Sequence, residues 1–425
     1  MKKNRLAYVL IVIISVCLAH FSAGILAYAS EIDILVSRLV EKGVLTAGEA
    51  QQVLNETKQE AKLQLAKGES ESVPKWVQNI KVKGDLRTRY QWQKQETGTS
   101  AKANDRNRFR IRARIGMDAK VNDKVNVASG LATGGTDPRS TNQTLDNFFE
   151  TPDIRLEYAY VLYVPFNQTV FSAGKIQNPL WRPSGLLWDS DIFPNGISMD
   201  LAWDIRPEFS TFLNTGFFVL DESSGYNADP VMWAVQPGFR WGLTEKLDIK
   251  GAFNYYGFNG LKGKAGENRS NPATNTTDTG GRYVYKYDSI GASAELGFKK
   301  PFDYNGFFEN LAYMGIFGDF IYNSDPSNDR HGWLIGAKIG HAGVKEPGQW
   351  QGVYNFRKLQ KDAWLDIFPD SDFYGGATDV KGHEIKFHYG LMKNVNFTAG
   401  YFHSERLSGG KRKENLFQAD LVFKF

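Results

Sequence analysis

The stretch densest in functional groups is RNRFRIRARIGMDAKV, residues 106–121. In it Arg108, Arg110, Arg112 and Arg114 alternate with Phe109, Ile111, Ala113 and Ile115, and the apolar set runs on through Met117, Ala119 and Val121. A period of two puts successive side chains on opposite faces of a strand, so one face is apolar and the other is a ladder of guanidinium groups. Such an array does no covalent chemistry; it attracts and orders anions and dipoles. Just upstream, Lys81, Lys83, Arg87 and Arg89 alternate in the same way with Val82 and Leu86. The opposite charges that such a ladder would face are Asp189 and Asp191, which sit with Arg182 in PLWRPSGLLWDSDIFP. Catalytic patterns are missing. His331, His341, His383, His388 and His403 are scattered, and the nearest pair, His383 and His388, falls on opposite faces of one strand. No nucleophile motif or phosphate-cradling glycine loop occurs, so neither an enzyme nor a cofactor is expected. DSDF (370–373) and DPSNDR (325–330) carry oxygen ligands that would suit Ca²⁺, but they are also ordinary turn sequences, and no metal is expected.

The elements that position these groups begin with an address. Met1-Lys-Lys-Asn-Arg5 is a basic start, Leu6 to Leu26 is mostly apolar, and Ala27-Tyr28-Ala29 offers a peptidase site, so residues 1–29 read as a secretory signal peptide. The lone cysteine, Cys17, leaves with it. A lipid anchor there is disfavoured because Val16 stands where a small residue is wanted. Loss of Lys2, Lys3 and Arg5 from the 51 basic residues leaves 48 against 47 acidic ones, so nucleic acid is not an implied partner. No later run of 18 apolar residues exists and the mean hydropathy is −0.40. That excludes a helical membrane protein but not a β-barrel, whose alternation dilutes the average.

Residues 30–72 read as helical, with Ile32, Leu35, Val36, Leu39 and Val40 at helical spacing. A second stripe follows a capping box from Thr46 to Glu49. Such short helices bury little alone, so this segment is expected to form a coiled coil, to contact peptidoglycan or a partner through 31–67, or to remain a loose arm. From residue 76 to 425 the pattern is alternating strands, about sixteen of ten to fifteen residues. Their connections are short at 121–124, 165–168, 243–246 and 391–394. They are long at 94–106, 135–152, 178–193, 259–281 and 358–380. Alternating short and long connections trim one end of a sheet and decorate the other, as in an outer-membrane barrel.

The environment then decides which face is which. Lipid on the apolar face leaves the arginines in the lumen; the reverse would cost about 2–4 kcal/mol for each arginine at the bilayer midplane. A soluble half-buried sheet would alternate identically, but nineteen Tyr and ten Trp suit interfacial girdles. Closure into a barrel also removes the exposed edges of an open sheet.

The closing strand NLFQADLVFKF, the first arginine stretch, STNQTLDNFF (140–149) and LLWDSDIFPNG (186–196) together resemble the family described as putative porins of Gram-negative outer membranes. This resemblance implies a closed antiparallel transmembrane β-barrel. It also implies recognition of the terminal Phe425 by the barrel assembly machinery, a homotrimer, and a loop after the fifth strand that folds into the lumen. The general plan is also similar to the phosphate-selective porins O and P, but no residue matches their phosphate site. The expectation is therefore a general diffusion porin in the outer membrane, surrounded by lipid, with residues 30–72 in the periplasm. It would pass small hydrophilic solutes and ions, its pore lined by the eight basic residues and constricted by Arg182, Asp189 and Asp191. An anion- or phosphate-selective channel is the nearer alternative, and a structural tether the more distant one.

Overall fold

A computed structural model describes residues 79–425 except 97–102, 223–227, 267–272, 302–310 and 411, together with scattered residues between Val36 and Glu56. The chain divides into two units, Met1–Gln78 and Asn79–Phe425. The signal-peptide reading of residues 1–29 lies outside the described residues. In the first unit the capping box forms as its sequence predicts. Thr46 N and Oγ1 both donate to Glu49 Oε2 at 2.8 Å, and Glu49 N donates back to Thr46 Oγ1 at 3.3 Å. The described residues just beyond it, from Gly48 to Ala50 and at Gln52, Val53 and Glu56, are helical.

The second unit is a sheet closed on itself. Its strands are β1 (Ile80–Glu96), β2 (Ala103–Lys120), β3 (Val125–Thr133), β4 (Gln143–Thr144), β5 (Ile154–Phe166), β6 (Thr169–Lys175), β7 (Asn195–Arg206) and β8 (Phe209–Val219). They continue as β9 (Val231–Gly242), β10 (Leu247–Asn259), β11 (Ser289–Lys299), β12 (Tyr313–Asn323), β13 (His331–Gly340), β14 (Trp350–Leu359), β15 (Val380–Met392), β16 (Val395–Arg406) and β17 (Lys413–Lys424). Two-residue β4 only touches β2, opposite Arg110 and Ile111. The other sixteen each pair antiparallel with the next, and β17 returns to β1 from Asp85↔Lys424 to Gln95↔Glu414. The barrel of about sixteen strands is thus met, with strand lengths from seven residues in β6 to eighteen in β2.

The barrel is apolar outside and polar inside. Ile316, Ile335 and Ile385 point outward with more than half of their surface exposed. Inward-facing Gln236, Asn254 and Ser293 bond one another across β9, β10 and β11, at 2.6 and 3.2 Å. An arrangement with this alternation has its low-energy solvent, lipid, on the outside.

Part of the lumen nevertheless has a hydrophobic core. The segments 176–194 and 360–379 turn inward and pack Trp188, Trp364 and Phe368 against Tyr256, Phe258, Ile321 and Leu334 of the β10–β13 wall. The Trp188 and Phe368 rings lie 4.4 Å apart, and the Tyr256 and Trp364 rings 4.7 Å apart. Trp364 Nε1 donates to Leu187 O at 2.7 Å, tying one infolded segment to the other.

The strict alternation of connection lengths is corrected. Connections at one end are tight after β2, β5, β7, β9 and β15, but that end also carries 300–312 and 341–349. At the other end, 324–330 and 407–412 are brief. Segment 341–349 can be longer because it satisfies its own backbone. Lys345 and Glu346 N–H groups donate to Gln349 Oε1, and Gly348 N donates to Gly390 O at 2.9 Å.

One glycine pair shapes the inner wall. Gly116 and Gly130 are cross-strand partners, and Tyr158, opposite Gly130, lies flat over both. A Cβ on either would overlap the Tyr158 ring. That ring also stacks on Phe193 of the infolded segment, centroids 4.9 Å apart. Gly130→Leu is expected to lift Tyr158 from the wall and destabilise the barrel by about 1–3 kcal/mol. A lowered thermal unfolding midpoint in detergent would register this; an unchanged midpoint would refute it.

Candidate functional site

The site is built on the β1–β2 pair. In register, Arg87 faces Arg112, Arg89 faces Arg110, Gln91 faces Arg108 and Asp85 faces Arg114. All point to the lumen, while Phe109, Ile115 and Met117 on the other face of β2 are exposed outward. Like charges directly opposite on a sheet destabilise it, and acidic residues on three elements offset part of that cost. Asp85 accepts from Arg112 Nη2 at 2.6 Å and from Arg114 Nε at 2.7 Å. Asp420 of β17 accepts from Arg89 Nε and Nη2 at 2.7 and 2.8 Å. Asp372, on segment 360–379, accepts from Arg89 Nη1 at both carboxylate oxygens, each at 3.1 Å, and from Gln418 Nε2 at 2.7 Å. Burial pushes the Asp372 carboxyl up, but Arg89 and Gln418 outweigh it and hold it well below the usual range.

In front of this wall lies a cavity of about 510 Å³. Arg87, Arg89 and Arg112 line it on one side and Arg182, Asp189 and Asp191 of segment 176–194 on another. Asp370, Arg357, Glu384 and Lys386 contribute further lining. Arg357 is ion-paired to Glu384 in close contact and to Asp370 at 3.7 Å, and Lys386 bonds Glu384 at 2.6 Å.

The structure therefore brings together part of the predicted set. Segment 176–194, which follows the fifth of the sixteen barrel strands, does fold inward. Its Asp191 reaches the ladder, 3.6 Å from Arg114 and 4.0 Å from Arg112. Asp189 lines the same cavity but makes no ion pair with the ladder among the described residues; its carboxylate accepts from Ser371 N at 2.7 Å and Asp191 N at 2.9 Å, bracing one infolded segment on the other. Burial, then the charges of Asp370 and Asp191, push its carboxyl well above the usual range. Lys81 and Lys83 lie outside the cavity lining; Lys83 is half-exposed and bonds Asp118 at 2.6 Å. Arg108, Arg110 and Arg114 continue the basic face without lining the cavity.

Sequence reasoning missed Asp85, Asp420 and Asp372. Asp85 shares the alternation phase of Arg87 and Arg89, and Asp420 alternates with Ala419 and Leu421, so parity alone would have placed both in the lumen. DSDF carries Asp372, the partner of Arg89, and no group of three or more metal-ligating side chains occurs among the described residues. His383 and His388 do take opposite faces. His383 lies beside Tyr354 Oη at 2.9 Å, and His388 lines the cavity.

Comparison with curated proteins returns no match. Among solved structures, the chain is similar to OprB of Pseudomonas putida. The two share 9% identity at a TM-score of 0.53, over 82% of this chain and 95% of that one. The outer membrane channel DcaP of Acinetobacter baumannii matches at 13% identity and a TM-score of 0.46, over 81% and 97% of the two chains. A mutant of the Rhodopseudomonas blastica porin matches at 11% identity and 0.43, over 81% and 100%. The first of these likenesses supports the closed-barrel fold. A family profile described as "Putative porin" matches residues 92–320 and 285–425, which together span most of the sequence. On that match this chain belongs to the putative porin family.

Proposed function

We propose that this chain acts in the outer membrane of a Gram-negative bacterium as a diffusion porin, passing small hydrophilic solutes and ions without covalent chemistry. The observation that carries the reading is the inverted barrel. Its lipid-facing isoleucines are exposed, while its interior holds a charged cavity of about 510 Å³ beside a wall of arginines. The infolded segments would set the exclusion limit, because their apolar side chains fill the β10–β13 side of the lumen and leave the path along β1 and β2. The same reading has residues 30–72 in the periplasm, Phe425 read by the barrel assembly machinery, and a homotrimer as the working unit. Phe425 is held in place by paired backbone bonds with Gly84 at 2.9 and 3.0 Å.

The test is solute flux. Liposomes containing the purified protein are expected to swell in small sugars and amino acids and to stay sealed to large oligosaccharides. Vesicles that remain sealed to salts and monosaccharides would end the porin reading.

A further inference from the structure

Resting on the porin reading, we propose that the cavity holds a binding site for a small oxyanion, a carboxylate or a phosphate, formed by Arg87 of the barrel wall and Arg182 of the infolded segment. The argument is one of charge left over after the ion pairs are assigned. Asp85 is taken by Arg112 and Arg114, Asp420 and Asp372 by Arg89, and Asp191 and Glu157 lie nearest Arg114. Across the cavity, Glu384 and Asp370 are taken by Arg357 and Lys386, and Lys338 by Glu295. Arg87 is left with a contact of 3.7 Å to Asp420, which Arg89 already holds with two bonds. Its one hydrogen bond is from Nη2 to the neutral amide oxygen of Asn142, and its Nε is buried with no partner among the described residues. Among the described residues Arg182 makes no hydrogen bond and no ion pair within 4.0 Å, and the charges of Asp189 and Asp319 act on it only from further off. Both line the same cavity.

Three further facts point to an anion rather than a cation. Lys and Arg side chains lining the cavity number eight against six Asp and Glu. Burial pushes one of those six carboxyls, Asp189, well above the usual range. Among the described residues, Arg110, which faces Arg89 across the strand pair, bonds only Gln91 Oε1 at 3.3 Å and Asn142 O at 3.4 Å, and its Nε is also buried without a partner. Asn142 thus sets two neutral oxygens between two arginines, where an oxyanion would offer charged ones. Guanidinium groups favour such ligands because their forked donors match carboxylate and phosphate oxygens in pairs.

The experiment is planar-bilayer recording of the purified full-length protein under a KCl gradient, followed by low-millimolar inorganic phosphate or succinate added separately. Chloride is expected to permeate ahead of potassium, and at least one of the two anions to block the chloride current. Block by phosphate alone assigns the site to phosphates, and block by succinate alone to carboxylates. Block by neither overturns the site. Arg87→Gln with Arg182→Gln is expected to lower the chloride-to-potassium permeability ratio by about threefold or more. The Lys versions of both are expected to keep the ratio but lose the block. Should the double variant fail to insert, Arg182→Gln alone carries the test, since it lies outside the hydrogen-bonded ladder, and an unchanged ratio overturns the proposal. Current with no anion preference defeats this site only; no current in any salt defeats the porin reading itself.

Discussion

Replacing residues 360–379 by Asn-Gly is expected to raise single-channel conductance about two- to threefold. Leu359 and Val380 are register partners, so a two-residue turn joins β14 to β15 without shifting the ladder. The deletion removes Trp364, Leu365 and Phe368 from the lumen, and with them the packing that holds Trp188 in place. It also removes Asp372, one of the two carboxylates on Arg89, so the wider path should be more strongly anion-preferring as well. Oligosaccharides excluded by the parent protein are expected to enter liposomes carrying the shortened chain. Unchanged conductance and an unchanged exclusion limit would mean that segment 360–379 does not bound the path.

Asp85→Asn is the single substitution with the largest expected cost. Asp85 is buried and bonds two arginines of the neighbouring strand, Arg112 through both Nε and Nη2 and Arg114 through Nε. Breaking a buried pair leaves an uncompensated charge and costs about 3–5 kcal/mol; water in the lumen and the partial exposure of Arg114 reduce this to about 2–4 kcal/mol. The variant is expected to lose its compact, detergent-resistant form at a lower temperature than the parent. Because Arg112 lines the cavity, its reversal potential should also move toward stronger anion preference. Asp85→Glu, which keeps the charge, is expected to recover most of both losses. A variant indistinguishable from the parent in stability and selectivity would show that Asp85 does not neutralise this wall.

Much of the barrel is legible in the chain because its signal is local. The alternation through Arg108, Arg110, Arg112 and Arg114 needs no tertiary knowledge to assign faces, and a wrong assignment costs more than any compensating effect can return. Thr46 and Glu49 are legible for the same reason, since a capping box closes within four residues. The infolded segments are less so. The inward turn of 176–194 is implied only by the family resemblance, and 360–379 has no periodicity to announce that Trp364 will be buried against Tyr256 and Phe258. Asp189 shows where local reading stops. In sequence it is an acidic neighbour of Asp191, but its role is set by Ser371, whose backbone N–H it accepts from across the lumen. The arginines were placed on the right face, yet their partners Asp420 and Asp372 come from the far end of the chain, and only the closed register brings them within reach.

That closure also bears on how the molecule is made. Arg89 and its ladder partner Asp420 are separated by 331 positions, and every hydrogen bond along the β1–β17 seam spans a comparable stretch of chain. Contacts of such long range form late and slowly, because the entropy of bringing their ends together must be overcome before they return any stabilisation. Until they form, β1 and β17 are two open sheet edges with unsatisfied amides and carbonyls, ready to accept a strand from another copy. The seam is therefore where biogenesis is most exposed to misassembly, and the ion pairs that line it reward only the correct neighbour.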